Sequence, residues 1–220
     1  MTSGTTEGTN DLWEAMYTQR AIRYFKPDPV PAELITKCIE AATRAPSGTN
    51  LQPWGFVVIQ DPAMRRRIAD KLRATFEANE GLKTMVESGA KSPVKTQRLM
   101  MSGVTNVFTR LDSAPVFIVP CLHNVMSPAR EGLLAGSSIY QAVQNLMLAA
   151  RGLGLGTVMT TFQNVIGPEL NEWLGLPENT VPVALIPLGW PAAKFGPLNR
   201  KPVEEVTFWE TWGNTKAPSA

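Results

Sequence analysis

The chain has 220 residues, 44% hydrophobic and 18% charged, and a formal net charge of +2. These values describe an ordinary globular protein, most simply one domain over 1–220 with length for a substantial core. They leave no electrostatic footprint for a nucleic acid, and no uninterrupted apolar run approaches membrane-spanning length.

Residues 1–10 are polar, read as a flexible N-terminus, and lack a basic-then-apolar signal pattern, so a cytoplasmic location is expected. Asp11 to Gln19 reads as a short helix with Leu12, Trp13 and Met16 on its apolar face. Arg20 to Phe25 leads into the proline cluster Lys26 to Pro31, an extended arm that cannot be helix. Pro31 opens the next helix, with Glu33 complementing its dipole, and that helix runs to about Thr43. The stretch Ala45-Pro46-Ser47-Gly48-Thr49-Asn50-Leu51-Gln52-Pro53-Trp54 follows. Its prolines bar helix at both ends, and the small polar residues between them offer approachable backbone amides, which suits equally an ordinary helix-to-strand connection and contact with a planar polar ligand.

Gly55 to Gln60 has strand character, and Asp61-Pro62 starts a helix through about Phe76. On that helix Arg65, Arg66 and Arg67 read as a solvated face opposite Met64, Ile68, Leu72 and Phe76. From Ala78 to Ser113 the pattern weakens at Gly81, Gly89, Ser92-Pro93 and Gly103; this region reads as a lid or excursion, with helical spacing from Leu99 to Phe108. Val116 to Leu122 is a second strand. Glu131 to Arg151 is a long, weakly charged helix with Ile139, Val143, Leu146, Met147 and Ala150 on one face, ended by Gly152 and Gly154. A third strand spans Gly156 to Thr161, a short helix Pro168 to Leu174, and a fourth strand Val181 to Leu188, interrupted by Pro182 and Pro187. Residues 200–220 form a C-terminal arm whose Phe208, Trp209 and Trp212 call for a packing partner.

Elimination narrows the chemistry. Cys38 and Cys121 fall on apolar faces outside any CxxC spacing, and His123 is the one histidine, so zinc sites and Cys-His catalysis lack ligands. No GxSxG elbow and no GxxxxGK[ST] loop occurs. Gly152-Leu153-Gly154-Leu155-Gly156 follows a helix and precedes a strand, the reverse of a dinucleotide fingerprint. What remains is a set of arginines far apart in the chain, Arg20 and Arg23 near the start and Arg200 near the end. Each alone reads first as solvated surface and second as an anion-binding group, with Arg23 the stronger candidate for its apolar neighbours Ile22, Tyr24 and Phe25.

Taken together, Arg20 to Phe25, the loop Ala45 to Trp54, Gly152 to Thr161, and Gly189 with Arg200-Lys201-Pro202 resemble the nitroreductase family of FMN-dependent oxidoreductases, in order and in spacing. The resemblance implies an α+β fold with a central mixed β-sheet flanked by helices, and an intertwined homodimer whose C-terminal arms exchange. It implies two FMN sites at the interface and NADH or NADPH as electron donor. By carry-over, Arg20, Ala21 and Arg23 would hold the FMN phosphate and the pyrimidine edge, and Arg200 would complete the phosphate site. Pro46, Ser47, Gly48 and Asn50 would reach the FMN of the other subunit. Thr160 and Thr161 would lie beside the isoalloxazine with a backbone amide facing its hydride-accepting nitrogen, and Gly189 would allow close approach near the ribityl chain.

Two positions depart from the family pattern. Gln19-Arg20-Ala21 stands where members often have Arg-Arg-Ser, and Thr161 where some carry an acidic residue. The implied activity is ping-pong electron transfer from NAD(P)H to nitroaromatics, quinones or similar flat small-molecule acceptors, with no catalytic side chain because the cofactor carries the chemistry. The alternatives are a reductive dehalogenase or flavin-fragmenting enzyme of the same fold, and a non-catalytic flavin-binding module.

Overall fold

A computed structural model describes residues 7–123 and 128–217. The elements are α1 (Leu12–Thr18), α2 (Ala32–Ala42), β1 (Trp54–Ile59), α3 (Pro62–Ala78), α4 (Glu80–Ala90), α5 (Lys95–Arg110), β2 (Val116–His123), α6 (Pro128–Gly152), β3 (Gly156–Thr157), α7 (Gln163–Leu174), β4 (Thr180–Pro182) and β5 (Ile186–Gly189). The central strand is β2, whose continuous apolar run is buried on both faces, as an interior strand requires. It pairs antiparallel with β1 along its length, with β5 through Val116–Ile118 and with β4 through Cys121–His123, while β3 extends the sheet beyond β5. The named strands all pair antiparallel; a parallel bridge from Ala21 to Thr157 supplies the mixed character.

Side-chain alternation divides the core into two layers. Phe117, Val119 and Cys121 face a cluster with Ile68 and Leu72 of α3, Val107 and Phe108 of α5 and Leu170 of α7. Val116 and Ile118 face the other cluster, with Ile35 and Cys38 of α2 and Val143 and Leu146 of α6. Both cysteines are core residues, as read from the sequence; burial pushes the Cys38 thiol up to about 12 and Cys121 up to about 11. Neither thiol is ionised near neutrality.

Several expectations are corrected. Ala78 to Ser113 is mostly ordered helix: α4 and α5 pack on α3, and the glycines that read as breakers lie inside the helices. At Gly89 a Cβ would stand 2.4 Å from Met101 Cγ, so the glycine serves close approach of α4 and α5. The interruption expected within Val181 to Leu188 falls between Pro182 and Ile186, leaving two strands, and Pro187 lies inside the second. Pro182 pairs with Cys121 and Ile186 with Ile118, so three residues of one chain segment oppose only Val119 and Pro120. This extra residue is a bulge, placed where Pro120 has no N–H to donate. The strand expected over Gly156 to Thr161 keeps regular pairing at Gly156 and Thr157, then only a bridge from Thr160 to Leu185. α7 begins before Pro168, and a non-helical Ile166 (φ −126°) absorbs the proline.

Two surface expectations also change. Arg65 donates through Nη1 to the carbonyls of Asp112 (2.8 Å) and Ala114 (2.7 Å), and Arg67 lies 4.3 Å from the Trp173 ring centroid. Arg65 thus ties α3 to its neighbour, while Arg66 and Arg67 are exposed as expected, Arg67 lying over the Trp173 ring. Residues 7–10, within the expected flexible terminus, are pinned: Thr9 N–H donates to the Gly152 carbonyl at 2.8 Å.

The anchor for that terminus is Arg151, which is 1% exposed. It donates to Thr18 Oγ1 (2.8 Å), the Glu7 carbonyl (2.8 Å) and Glu14 Oε1 (3.1 Å), with its guanidinium 4.3 Å from the Phe195 ring centroid. The helix end beside it closes as the glycines predict: Leu155 N–H returns to the Ala150 carbonyl, Gly154 N–H to Arg151, and Gly154 has φ 76°. Other apolar groups stay uncovered. The expected apolar face of α1 is outside, with Leu12, Trp13, Met16 and Tyr17 exposed, and Trp212 of the tail is 89% exposed. Among the described residues no helix is long and apolar enough to cross a membrane.

Replacing Arg151 with Met should cost about 2–4 kcal/mol, because it removes the buried donor shared by the Glu7 carbonyl, Thr18 Oγ1 and Glu14 Oε1. Urea unfolding checks this; an unchanged midpoint would contradict the anchoring role.

Candidate functional site

The segment Arg20 to Phe25 is threaded between β3 and the chain after β5. Ile22 N–H donates to the Thr157 carbonyl at 2.9 Å, Lys26 N–H to Trp190 at 2.8 Å, and Ala192 N–H to Tyr24 at 2.9 Å. Ile22 is buried against Gly156, where a Cβ would stand 2.7 Å from Ile22 Cγ2. With Ile22 committed to packing, Arg20 and Arg23 are the charged groups of the segment. Arg23 is half-buried, and among the described residues neither arginine forms a salt bridge. Burial lowers the Arg23 pKa below its usual value, and the positive field of Arg20 lowers it further. A guanidinium remains charged in any such setting, so the pair makes a positive site without a counter-charge of its own. That is the electrostatics of an anion site.

Arg23 opens onto a cleft of about 270 Å3. One wall is Val158, Met159, Thr160, Thr161 and Phe162; the other is Val104, Val107 and Phe108 of α5. Thr160 is already engaged: its amide donates to the Leu185 carbonyl at 3.1 Å and its hydroxyl to the same oxygen at 2.6 Å. An apolar-walled slot with a cation at one edge fits a flat ring system that gains negative charge. The structure therefore brings Arg23, Thr160 and Thr161 together, with Arg20 and Ala21 on the same segment as Arg23.

It does not bring the loop there. Pro46 lines a separate groove of about 500 Å3 on α6 with Ser137, Tyr140, Gln141, Gln144 and Asn145, and no residue lines both. Ser47 Oγ accepts from Gln52 N–H at 3.0 Å, and Gly48 N–H donates to Ser138 Oγ at 3.3 Å. The loop between the prolines is a tight turn with Thr49 (φ 49°), Asn50 (φ 57°) and Gln52 (φ 50°) in the left-handed region. For a β-branched threonine that is strained backbone, held by the surrounding bonds. Arg200 is exposed, its Nη1 donating to the adjacent Asn199 carbonyl at 2.9 Å. His123 pairs across strands with Thr180, its Nδ1 3.1 Å from Oγ1, away from the residues of the cleft.

Gly189 is placed in packing contact and does not line the cleft. A Cβ there would lie 2.5 Å from Pro115 Cδ and 3.2 Å from Phe25 Cδ1. The sequence reading passed over the contribution of α5. Asn106 Nδ2 donates to the Arg23 carbonyl, the Tyr24 hydroxyl lies 3.1 Å from Ser102 Oγ, and a Cβ on Gly103 would stand 2.8 Å from Arg23 Cδ. The available signal was the spacing of Val104, Val107 and Phe108 beside a mid-helix glycine, a residue that costs roughly 1 kcal/mol there relative to alanine and so marks a tertiary need.

The fold is a central sheet between helices, and the site is a cationic, apolar-walled cleft at its edge. The Nitroreductase family matches residues 17–190, and the chain belongs to that family. Iodotyrosine deiodinase 1 of Rattus norvegicus is 31% identical over 204 residues, which cover 90% of this chain and 69% of that protein. An NADH dehydrogenase of Thermus thermophilus is 32% identical over 203 residues, covering 90% of this chain and 96% of that one. A solved nitroreductase with bound FMN from Desulfitobacterium hafniense shares the fold, with TM-score 0.70 and 22% identity over 92% of this chain and 100% of that one.

Gly189→Ala should destabilise the protein by about 1–3 kcal/mol, since the Pro115 ring cannot yield as a flexible chain would. The loss should appear in thermal unfolding of flavin-free protein; an unaltered transition there would show that packing does not require the glycine.

Proposed function

We propose that the protein is an FMN-dependent NAD(P)H oxidoreductase that reduces flat, electron-poor acceptors such as nitroaromatics and quinones. The observation that carries this reading is the half-buried Arg23, beside Arg20 and without a carboxylate partner among the described residues, at the edge of an apolar-walled slot. The residues present fit FMN: an anionic phosphate for Arg20 and Arg200, and for Arg23 a ring that becomes anionic when reduced. When bound, FMN supplies the capacity to take a hydride from a nicotinamide and return electrons to an acceptor.

The protein's own contribution is binding and orientation. Arg20 and Arg200 offer bidentate donors to phosphate, and Arg23 a fixed positive charge at the ring edge. Because both the amide and the hydroxyl of Thr160 are spent on Leu185, the backbone donor toward the ring is assigned to Thr161. Val104, Val107 and Phe108 exclude water from the slot and select flat apolar substrates. The loop residues Pro46, Ser47, Gly48 and Asn50 lie on another face, so we assign them to the flavin of a second subunit. A homodimer is supported by the uncovered Trp13, Tyr17 and Trp212, which need a partner surface, and it would use the tail as an exchanged arm. Reductive dehalogenation is the second reading, favoured by the likeness to a deiodinase.

Anaerobic addition of NADH and NADPH, each alone, should bleach the oxidised flavin band of the holoprotein; no bleaching by either would overturn the oxidoreductase reading. An acceptor screen with nitroaromatics, quinones and halogenated phenols then separates the two readings by which is reduced fastest. Arg200→Ala should weaken FMN binding by roughly 1.5–3 kcal/mol, the value of a charge-assisted phosphate contact. A flavin titration indistinguishable from wild type would leave Arg200 as surface.

A further inference from the structure

Helix α5 carries a glycine and an asparagine whose contacts go to one place. Gly103 and Asn106 are three residues apart and therefore share a helix face, with Ser102 beside them. Opposite that face lies the segment of Arg23 and Tyr24. Asn106 Nδ2 holds the Arg23 backbone carbonyl, and Ser102 Oγ lies 3.1 Å from the Tyr24 hydroxyl. Gly103 is buried, and the space its missing side chain leaves is used by the Arg23 side chain: a Cβ would stand 2.8 Å from Cδ and 3.6 Å from both Nε and Nη1. The next residues along the helix, Val104, Val107 and Phe108, form the wall of the cleft that Arg23 opens onto.

We infer that Gly103 and Asn106 are positioning residues that aim the Arg23 guanidinium along the cleft edge, so that α5 sets both the apolar wall and the direction of the charge. Asn106 fixes the backbone from which Arg23 departs, and Gly103 fixes the path of its side chain. No carboxylate among the described residues holds the guanidinium from the other side, so its direction depends on these steric and backbone constraints. The consequence for flavin rests on the role proposed for Arg23 above, whereas the aiming itself does not.

Gly103→Ala is a mild test, because the obstructed atoms belong to a flexible arginine that can swing aside while the helix gains a better helix former. In flavin-free protein the Arg23 Nε–Hε NMR signal, assigned by its loss in Arg23→Ala, should shift in Gly103→Ala and again in Asn106→Ala. FMN affinity should fall about fivefold or more in Gly103→Ala, yet by less than about twofold when the same change is made in an Arg23→Ala background, which removes the three atoms nearest the Cβ. The bound flavin's midpoint potential should fall in Gly103→Ala as the cation leaves the ring edge. An unmoved Arg23 signal in both variants overturns the inference, as do equal affinity losses in the two backgrounds. If Arg23→Ala alone binds FMN as tightly as wild type, the proposed role of Arg23 fails, and the NMR shift still decides whether α5 aims it.

Discussion

The site depends on one short backbone pairing. The Thr157 carbonyl accepts from Ile22 N–H and Thr157 bridges Ala21, which pins an otherwise irregular segment to the edge strand β3. Gly156 makes the pairing possible, since a Cβ there would meet the Ile22 side chain. With Ile22 locked into the core, Arg20 and Arg23 are delivered on either side of it without needing ion pairs to hold them. A basic site needs its cations placed but uncommitted, and anchorage through a neighbouring apolar residue achieves that.

The same logic explains why the region between α3 and β2 matters. α5 is at once a core helix, through Val107 and Phe108, and a wall of the cleft. Rigid packing on α3 gives the cleft a defined width, while Gly103 gives Arg23 a defined path. Selectivity for one acceptor over another would then reside in side chains whose positions the core already fixes, rather than in a mobile flap.

Much of this was readable from local chemistry. The end of α6 follows from Gly152 and Gly154 because helix termination is settled within a few residues. β2 follows from its unbroken apolar run, and the cysteines from their apolar neighbours. What escaped the reading is set by residues distant in sequence. Gly89 and Gly103 look like breakers until Met101 and Arg23 are seen filling their space. The place of the break between β4 and β5, opposite Val119 and Pro120, is a matter of register with the neighbouring strand. The apolar face of α1 was legible, but not its outward direction, because a single chain does not specify what covers it. Among the candidate site residues, Arg20, Ala21, Arg23, Thr160 and Thr161 gather as a group, whereas the loop at Pro46 to Asn50 stands apart from them.

That separation calls for two chains: the arginine pair of one subunit and the strained loop of another would share a flavin. Subunit complementation distinguishes a shared site from one within a single chain. Arg23→Ala protein and a protein with Pro46 to Asn50 replaced by a flexible linker, each impaired in binding FMN, are unfolded together, refolded and titrated with FMN. Half the dimers would be mixed and each would hold one intact site, so tight binding should return at about one site in four. No recovery from a sample shown to contain mixed dimers would contradict a shared site and place the flavin within a single chain.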